Sequence, residues 1–279
     1  MLSGQPSSTA DFVAYARALH QKVDEPPIFT DPLATRIWGG SVSSSAEFDQ
    51  RQSDDLVRAR RLFIAARSRV SDDTVADAIE RGCDQVVILG AGLDTTAYRQ
   101  SSTHVRFYEV DNPATQEYKR SRLAHAGITI PPSLTFVPVD FEQETLAGAL
   151  AQAGLDRTRG TVFVWLGVAV YLTRPAVDNV LRYIASGPAE LVFDYFYPLD
   201  STPGDPTSIQ LQHRAELVAA AGEPWRTFFT AEEIRAILLS FGYRHIEDRS
   251  ASELLATYGW QPSTRSTDSG PHLIHACTA

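Results

Sequence analysis

A doubly wound, mostly parallel α/β sheet is the fold class that this sequence predicts, and three features predict it. Apolar runs of strand length alternate with helical segments through the middle of the chain, the pattern of parallel strands joined by crossover helices. The first run, Val86-Val87-Ile88-Leu89, ends in Gly90-Ala91-Gly92-Leu93-Asp94. Glycine at a strand-to-helix turn lets backbone N–H groups approach a ligand with no Cβ in the way. The second run, Phe107-Tyr108-Glu109-Val110, ends in Asp111, 111 − 90 = 21 positions after the first glycine. In nucleoside-binding α/β folds a carboxylate there accepts hydrogen bonds from the two hydroxyls of a ribose.

The elements follow in order. Residues 8–24 are expected to be helical, because Phe12, Val13, Ala16 and Leu19 recur at helical spacing behind a Ser8 or Thr9 cap. Pro26-Pro27 ends that segment, and Asp31-Pro32 starts a short helix through Trp38. Gly39 to Ser45 is Gly/Ser-rich and expected to be a mobile loop. Residues 54–70 form a helix carrying Arg58, Arg60, Arg61, Arg67 and Arg69, most of which belong to a solvated face. Strands are expected at Gln85–Leu89, Arg106–Val110, Leu134–Val139, Thr161–Leu166 and Leu191–Phe196, with helices near 72–82, 95–100, 113–126, 143–153 and 174–186. The Pro- and Gly-rich stretch 198–206 then breaks the alternation, a helix follows at 207–221, and this excursion leaves the carboxyl end of a strand, so it should cover the ligand crevice. Thr230 caps a helix at 230–241, with Glu233 completing a capping box. Tyr243–Asp248 and His272–Ala276 close the chain as an antiparallel hairpin at the sheet edge.

Bulk properties narrow the function. With 279 residues, 43% of them hydrophobic and 21% charged, the chain has the composition of a soluble globule with a substantial core. A net charge of −9 argues against a nucleic-acid partner. Cys83 and Cys277 stand far apart, and the seven histidines form no spaced ligand set, so no metal site and no disulfide framework are expected. The start of the chain lacks the apolar core of a signal peptide. The longest apolar run, Thr161 to Leu172, is too short to span a bilayer, and a cytoplasmic protein without membrane attachment is the expectation.

The cofactor follows from the residues after the glycines. A dinucleotide site places a third small residue three positions beyond the second glycine; here that residue is Thr95, beside Asp94. A carboxylate in the first helical turn repels a pyrophosphate but suits the cationic amino group and sulfonium of S-adenosyl-L-methionine. Strand three ends in Asp140-Phe141, able to accept from the N6 amino group of an adenine and to pack near its ring, while Asp140 is equally suited to capping the next helix. Strand four leads into Leu166-Gly167 and Tyr171. Tyr171 and Tyr195 are candidates for the reaction centre, although an aromatic in an apolar run is also ordinary core. Asp194 should be paired if it is buried, and His213 on the excursion helix is a candidate base or a plain surface group. Arg17 suits an anionic substrate or a helix-face salt bridge.

Taken together, the segments TADFVAYARA, FTDPLA, ARSR (66–69), QVVILGAGLDTTAYR, YEVDNP, FVPVDF, WLGVAVYLT and GEPW (222–225) resemble a known family. It is the leucine carboxyl methyltransferase/polyketide methyl-esterase group of S-adenosyl-L-methionine-dependent methyltransferases, in its actinobacterial branch. The resemblance covers nearly the whole chain. It implies a Rossmann-like class I methyltransferase sheet of seven strands in a single domain. Residues 1–70 would form an N-terminal helical cap, 71–196 the cofactor core, 197–229 a lid insertion and 230–279 the completion of the sheet. It also implies that Arg67 holds the methionine carboxylate, that Gly90, with Ala91 and Gly92, lines the methionine half, that Asp111 holds the ribose, and that Asp140 with Phe141 frames the adenine. Part of the broader family has Glu where this chain has Leu166, so a contact near the amino group is missing and Asp94 is placed to substitute. The activity implied is methylation of a small molecule, at a carboxylate or an acidic hydroxyl. A hydroxyl acceptor would need a base, and Tyr171, Asp194 and His213 are the candidates. Two alternatives stand beside it: a non-catalytic S-adenosyl-L-methionine-binding protein, and an NAD(P)-dependent oxidoreductase.

Overall fold

A computed structural model of the chain describes residues 7–40, 54–100, 104–199, 206–260 and 270–278. Seven strands form one sheet: β1 (Gln85–Leu89), β2 (Arg106–Asp111), β3 (Leu134–Pro138), β4 (Thr161–Trp165), β5 (Ala189–Phe196), β6 (Arg244–Ser250) and β7 (Pro271–Cys277). Their order is β3-β2-β1-β4-β5-β7-β6. The first five strands run parallel, and β7 lies antiparallel between β5 and β6. The expected terminal pair therefore exists, with β7 inserted beside β5 and β6 left as the edge strand. β1 and β4 are buried at every position, as strands covered by helices on both faces must be.

The chain builds outward from β1 through β2 to β3, then returns to lay β4 on the other side of β1. That reversal opens a crevice at the carboxyl ends of β1 and β4, the place where such sheets bind ligands. Around the sheet lie α1 (Ser8–Val23), α2 (Ala34–Trp38), α3 (Asp54–Glu80), α4 (Thr96–Arg99), α5 (Pro113–His125), α6 (Leu146–Gln152), α7 (Arg174–Ile184), α8 (Pro206–Ala220), α9 (Ala231–Phe241) and α10 (Ala251–Ala256). α9 begins with the expected capping box, in which Thr230 accepts from the N–H of Glu233 and the Glu233 carboxylate accepts from the N–H of Thr230.

Two differences from expectation have local causes. α3 is one helix of 27 residues instead of two segments divided at residue 71. No glycine or proline interrupts it. The apolar pattern changes because the helix changes partner: Leu62, Phe63 and Ala66 pack with Val192, Leu254 and Leu273, whereas Val75 and Ala78 pack with Val86, Ile88 and Val162. α10, absent from the sequence reading, opens on a second capping box, Ser250 with Glu253, and buries Leu254 and Leu255. Residues 41–45 of the expected Gly/Ser-rich loop, and 200–205 of the excursion, lie outside the described residues. No helix among the described residues is long and apolar enough to cross a membrane.

Candidate functional site

The turn after β1 lines the crevice. Gly90 has φ 64°, and a Cβ there would lie 2.2 Å from Cγ2 of Val168 on the loop after β4. Only glycine meets both demands. The Gly92 N–H donates to Oδ2 of Asp111 at 2.6 Å, and the Asn112 N–H donates to Oδ1 at 2.7 Å. The Asp111 carboxyl is 5% exposed, and burial raises its pKa to about 6 despite those two bonds. The end of β2 is thus fastened to the glycine turn.

Beyond β3, Asp140 caps its own turn: it accepts from the Glu142 N–H and from the Gln143 side-chain amide, each at 3.0 Å. Asp140 and Phe141 also line the crevice, so the capping role coexists with a position on the wall. After β4, Gly167 (φ 72°) donates its N–H to Oδ1 of Asp194 at 2.6 Å. Oδ2 of the same carboxylate accepts from Nη1 of Arg67, which arrives from α3. Arg67 is 6% exposed and Asp194 2%. Asp194 is therefore paired, as a buried carboxylate in an apolar strand must be. A Cβ on Gly167 would stand 3.1 Å from Nη2 of Arg67, so the glycine also admits the guanidinium.

The roof comes from both ends of the chain. Glu223, in the segment after α8, accepts at Oε2 from the Ser8 hydroxyl (2.7 Å), the Thr9 hydroxyl (2.6 Å) and the Thr9 N–H (3.0 Å). A carboxylate on the first N–H groups of a helix is favoured by both hydrogen bonding and the helix dipole. The Tyr171 hydroxyl donates to Thr9 at 3.4 Å. Burial pushes the Tyr171 hydroxyl above the usual phenol range, opposed by its contacts with Thr9 and Trp225.

These walls border two adjacent spaces. The larger, of about 710 Å³, runs from Phe141 past Asp111 and the glycine turn to Gly167 and Glu223. The smaller, of about 200 Å³, is lined by Phe63, Phe196, Trp225 and Trp260 among others. Thr9, Val13, Arg67, Gly167 and Tyr171 line both. Their charges differ. Asp94, Asp111, Asp140, Glu142, Glu144 and Glu223 line the larger space. The smaller has Arg60, Arg67 and Arg214 and, among the described residues, no acid.

Of the candidates from sequence, Arg67, Gly90, Ala91, Gly92, Asp94, Asp111, Asp140, Phe141, Leu166, Tyr171 and Arg17 all lie on the larger space. Arg17 is held there by internal partners: it donates to Asp31 at 2.7 Å, Thr95 at 2.9 Å and Asp94 at 3.4 Å. Burial raises the Asp94 carboxyl, but Arg17, Lys119 and Arg99 outweigh it and hold the group below the usual range. The salt-bridge alternative is thus the contact Arg17 makes. Tyr195 and His213 are not brought to the site. Side chains alternate along β5, so Tyr195 faces away from Asp194 into the core, where its hydroxyl donates to Asp248 at 2.6 Å. His213 is 40% exposed on α8, 3.8 Å from Glu216. Sequence reasoning missed Glu223 and Trp225 as roof residues and the grouping of Arg60 with Arg214. The first two stand in a recognisable GEPW segment, whereas Arg60 of α3 and Arg214 of α8 come together over the ring of Phe12, which only the folded chain brings about.

The architecture has known counterparts. Over 100% of both chains it is similar to a DUF574 family protein from Streptomyces avermitilis MA-4680 (TM-score 0.62, 15% identity). It also matches a "putative methyltransferase" from Thermobifida fusca YX (TM-score 0.59, 18% identity, 100% of this chain and 97% of that one). These likenesses define a Rossmann-like fold. In sequence, the pattern of the leucine carboxyl methyltransferase family matches residues 10–185. "Putative S-adenosyl-L-methionine-dependent methyltransferase YktD" from Bacillus subtilis is 30% identical over 99% of each chain. A "Putative S-adenosyl-L-methionine-dependent methyltransferase" from Mycolicibacterium paratuberculosis is 30% identical over 91% of this chain and 80% of its own. The chain belongs to the leucine carboxyl methyltransferase family.

Proposed function

We propose that this chain is an S-adenosyl-L-methionine-dependent O-methyltransferase acting on a small anionic acceptor, a carboxylate or an acidic hydroxyl. The observation that carries this reading is the contrast between the adjacent spaces: one rich in acids, the other with Arg60 and Arg214 beside the Asp194-paired Arg67 and with no acid among its described lining residues. The larger falls within the about 300–1,000 Å³ typical of cofactor sites. Its features suit the nucleoside: glycines that a Cβ would block, a buried carboxylate at the end of β2, and an aromatic at the end of β3. Asp111 would take the ribose hydroxyls, Arg67 the methionine carboxylate, Gly90 to Gly92 the methionine half, and Asp140 with Phe141 the adenine. Leu166 and Asp94 would close the remaining wall.

S-adenosyl-L-methionine supplies an electrophilic methyl on a cationic sulfur. The protein then has to align an oxygen with that carbon and keep water away. The second space, with Phe63, Phe196, Trp225 and Trp260 on its walls, supports exclusion of water, and Arg60 and Arg214 support an anion, Arg67 being paired with Asp194 on the cofactor side. An anionic acceptor is already a nucleophile and calls for no base. Tyr171, with its raised pKa, is then better suited to donating a hydrogen bond than to removing a proton.

The test is transfer of labelled methyl from S-adenosyl-L-methionine to a panel of aryl and alkyl acids, phenols and amines. The expected product is an ester, whose label is released as methanol by mild alkali, or, for an acidic hydroxyl, a methyl ether, whose label is stable to alkali. Label appearing only on amines would overturn the anionic-acceptor reading. Binding of S-adenosylhomocysteine with no transfer to any acceptor would favour the non-catalytic alternative.

A further inference from the structure

Three side chains that the candidate site does not use converge at the opposite end of the sheet. Glu190 is near the start of β5, directly opposite Cys277 near the end of β7 in the antiparallel ladder. Residues paired in this way project from the same face. His275 stands two residues before Cys277 on the same strand and shares that face. One donor atom from each of the three lies within 4.8 Å of the other two. Oε1 of Glu190 is 2.7 Å from Nε2 of His275, while Arg81 donates to Oε2 at 2.5 Å. Cys277 is a free thiol, and all three residues are half-buried.

We propose that Glu190, His275 and Cys277 form a binding site for a divalent transition metal ion of the zinc type. A thiolate, an imidazole and a carboxylate are the donors zinc takes, and a sulfur ligand disfavours magnesium and calcium. Bond lengths of about 2.0–2.3 Å place the ligands of a tetrahedral site about 3.3–3.8 Å apart. Donors already within 4.8 Å reach that spacing by small side-chain rotations, because the β5–β7 ladder fixes the backbones. Arg81 holds the carboxylate oxygen that faces away from His275, the role of an outer partner that orients a ligating group. Partial exposure gives the ion a route in and leaves a fourth position to water. Sequence spacing cannot reveal the site, since Glu190 and His275 are 85 residues apart. A bound ion would tie the last strand to the parallel part of the sheet, far from the crevice.

The test uses the full chain, stripped with chelator and titrated with cobalt(II). The expected result is a thiolate-to-cobalt charge-transfer absorption that saturates at one ion per chain and is abolished when zinc is added. It should vanish in Cys277→Ser and persist in Cys83→Ser. Glu190→Gln and His275→Ala should each weaken binding at least tenfold. Affinity for S-adenosylhomocysteine should be the same in all four variants, which separates loss of the metal site from loss of the fold. No charge-transfer absorption in the wild-type chain, or an absorption that survives Cys277→Ser, would overturn the proposal.

Discussion

At the scale of single residues, the account rests on buried carboxylates with specific partners. Asp111 is legible from sequence by its distance from the glycine turn, but its state is not. Its pKa, raised to about 6, arises from burial that only the fold creates. Binding ribose hydroxyls as an acceptor requires the ionised form, so affinity for S-adenosylhomocysteine should fall as pH drops below about 6, approaching tenfold per pH unit. Calorimetry across pH 5 to 8 reads this directly, and affinity unchanged over that range would count against Asp111 as the ribose ligand. Asp194 makes a different case. Its pairing is expected from burial, but its partner comes from a distant helix. Asp194→Asn should leave Arg67 without its counter-charge and loosen Gly167, destabilising the chain by about 3 kcal/mol. The KM for S-adenosyl-L-methionine should rise more than kcat falls. An unchanged melting temperature and KM would show that Asp194 does not position Arg67.

At the scale of elements, the glycine turn and the roof are opposite kinds of constraint. The turn was readable because its requirement is local: a positive φ and a close approach to Val168 at Gly90. Gly90→Val should abolish binding of S-adenosylhomocysteine, since the new side chain overlaps Val168; retained binding would mean that the turn is not part of the nucleoside site. The roof was only partly readable. The excursion was expected to cover the crevice because it leaves a strand's carboxyl end, but no local pattern says that Glu223 seats on the first turn of α1. Glu223→Gln removes a charge from that helix start, an effect of about 1 kcal/mol. Amide exchange at 8–12 and 222–226 should accelerate while exchange in β1 and β4 stays slow. Uniform exchange across the variant and wild type would detach the roof from this contact.

For the whole molecule, the strand alternation and the two acid- or glycine-marked strand ends made the sheet legible, because each strand carries its own apolar signature. What escaped was long-range. α3 reads as two segments divided at residue 71 because it serves two cores, and chain position makes candidates of Tyr195 and His213 although the pleat and the helix face turn them elsewhere. The grouping of Arg60, Arg67 and Arg214 beside an acid-lined space is likewise a property of the assembled chain, invisible in a net charge of −9. That asymmetry is the basis for an anionic acceptor. Arg214→Glu should raise the acceptor KM about tenfold or more, as expected when one charge of a converging set is reversed, without changing affinity for S-adenosylhomocysteine. The most direct measurement is a crystal structure of the full chain with S-adenosylhomocysteine. The account predicts both ribose hydroxyls on Asp111, the adenine beside Phe141, and the sulfur directed past Gly167 toward the space lined by Trp225 and Arg214. A ribose bound away from Asp111, or a sulfur facing solvent with that space closed off, would contradict it.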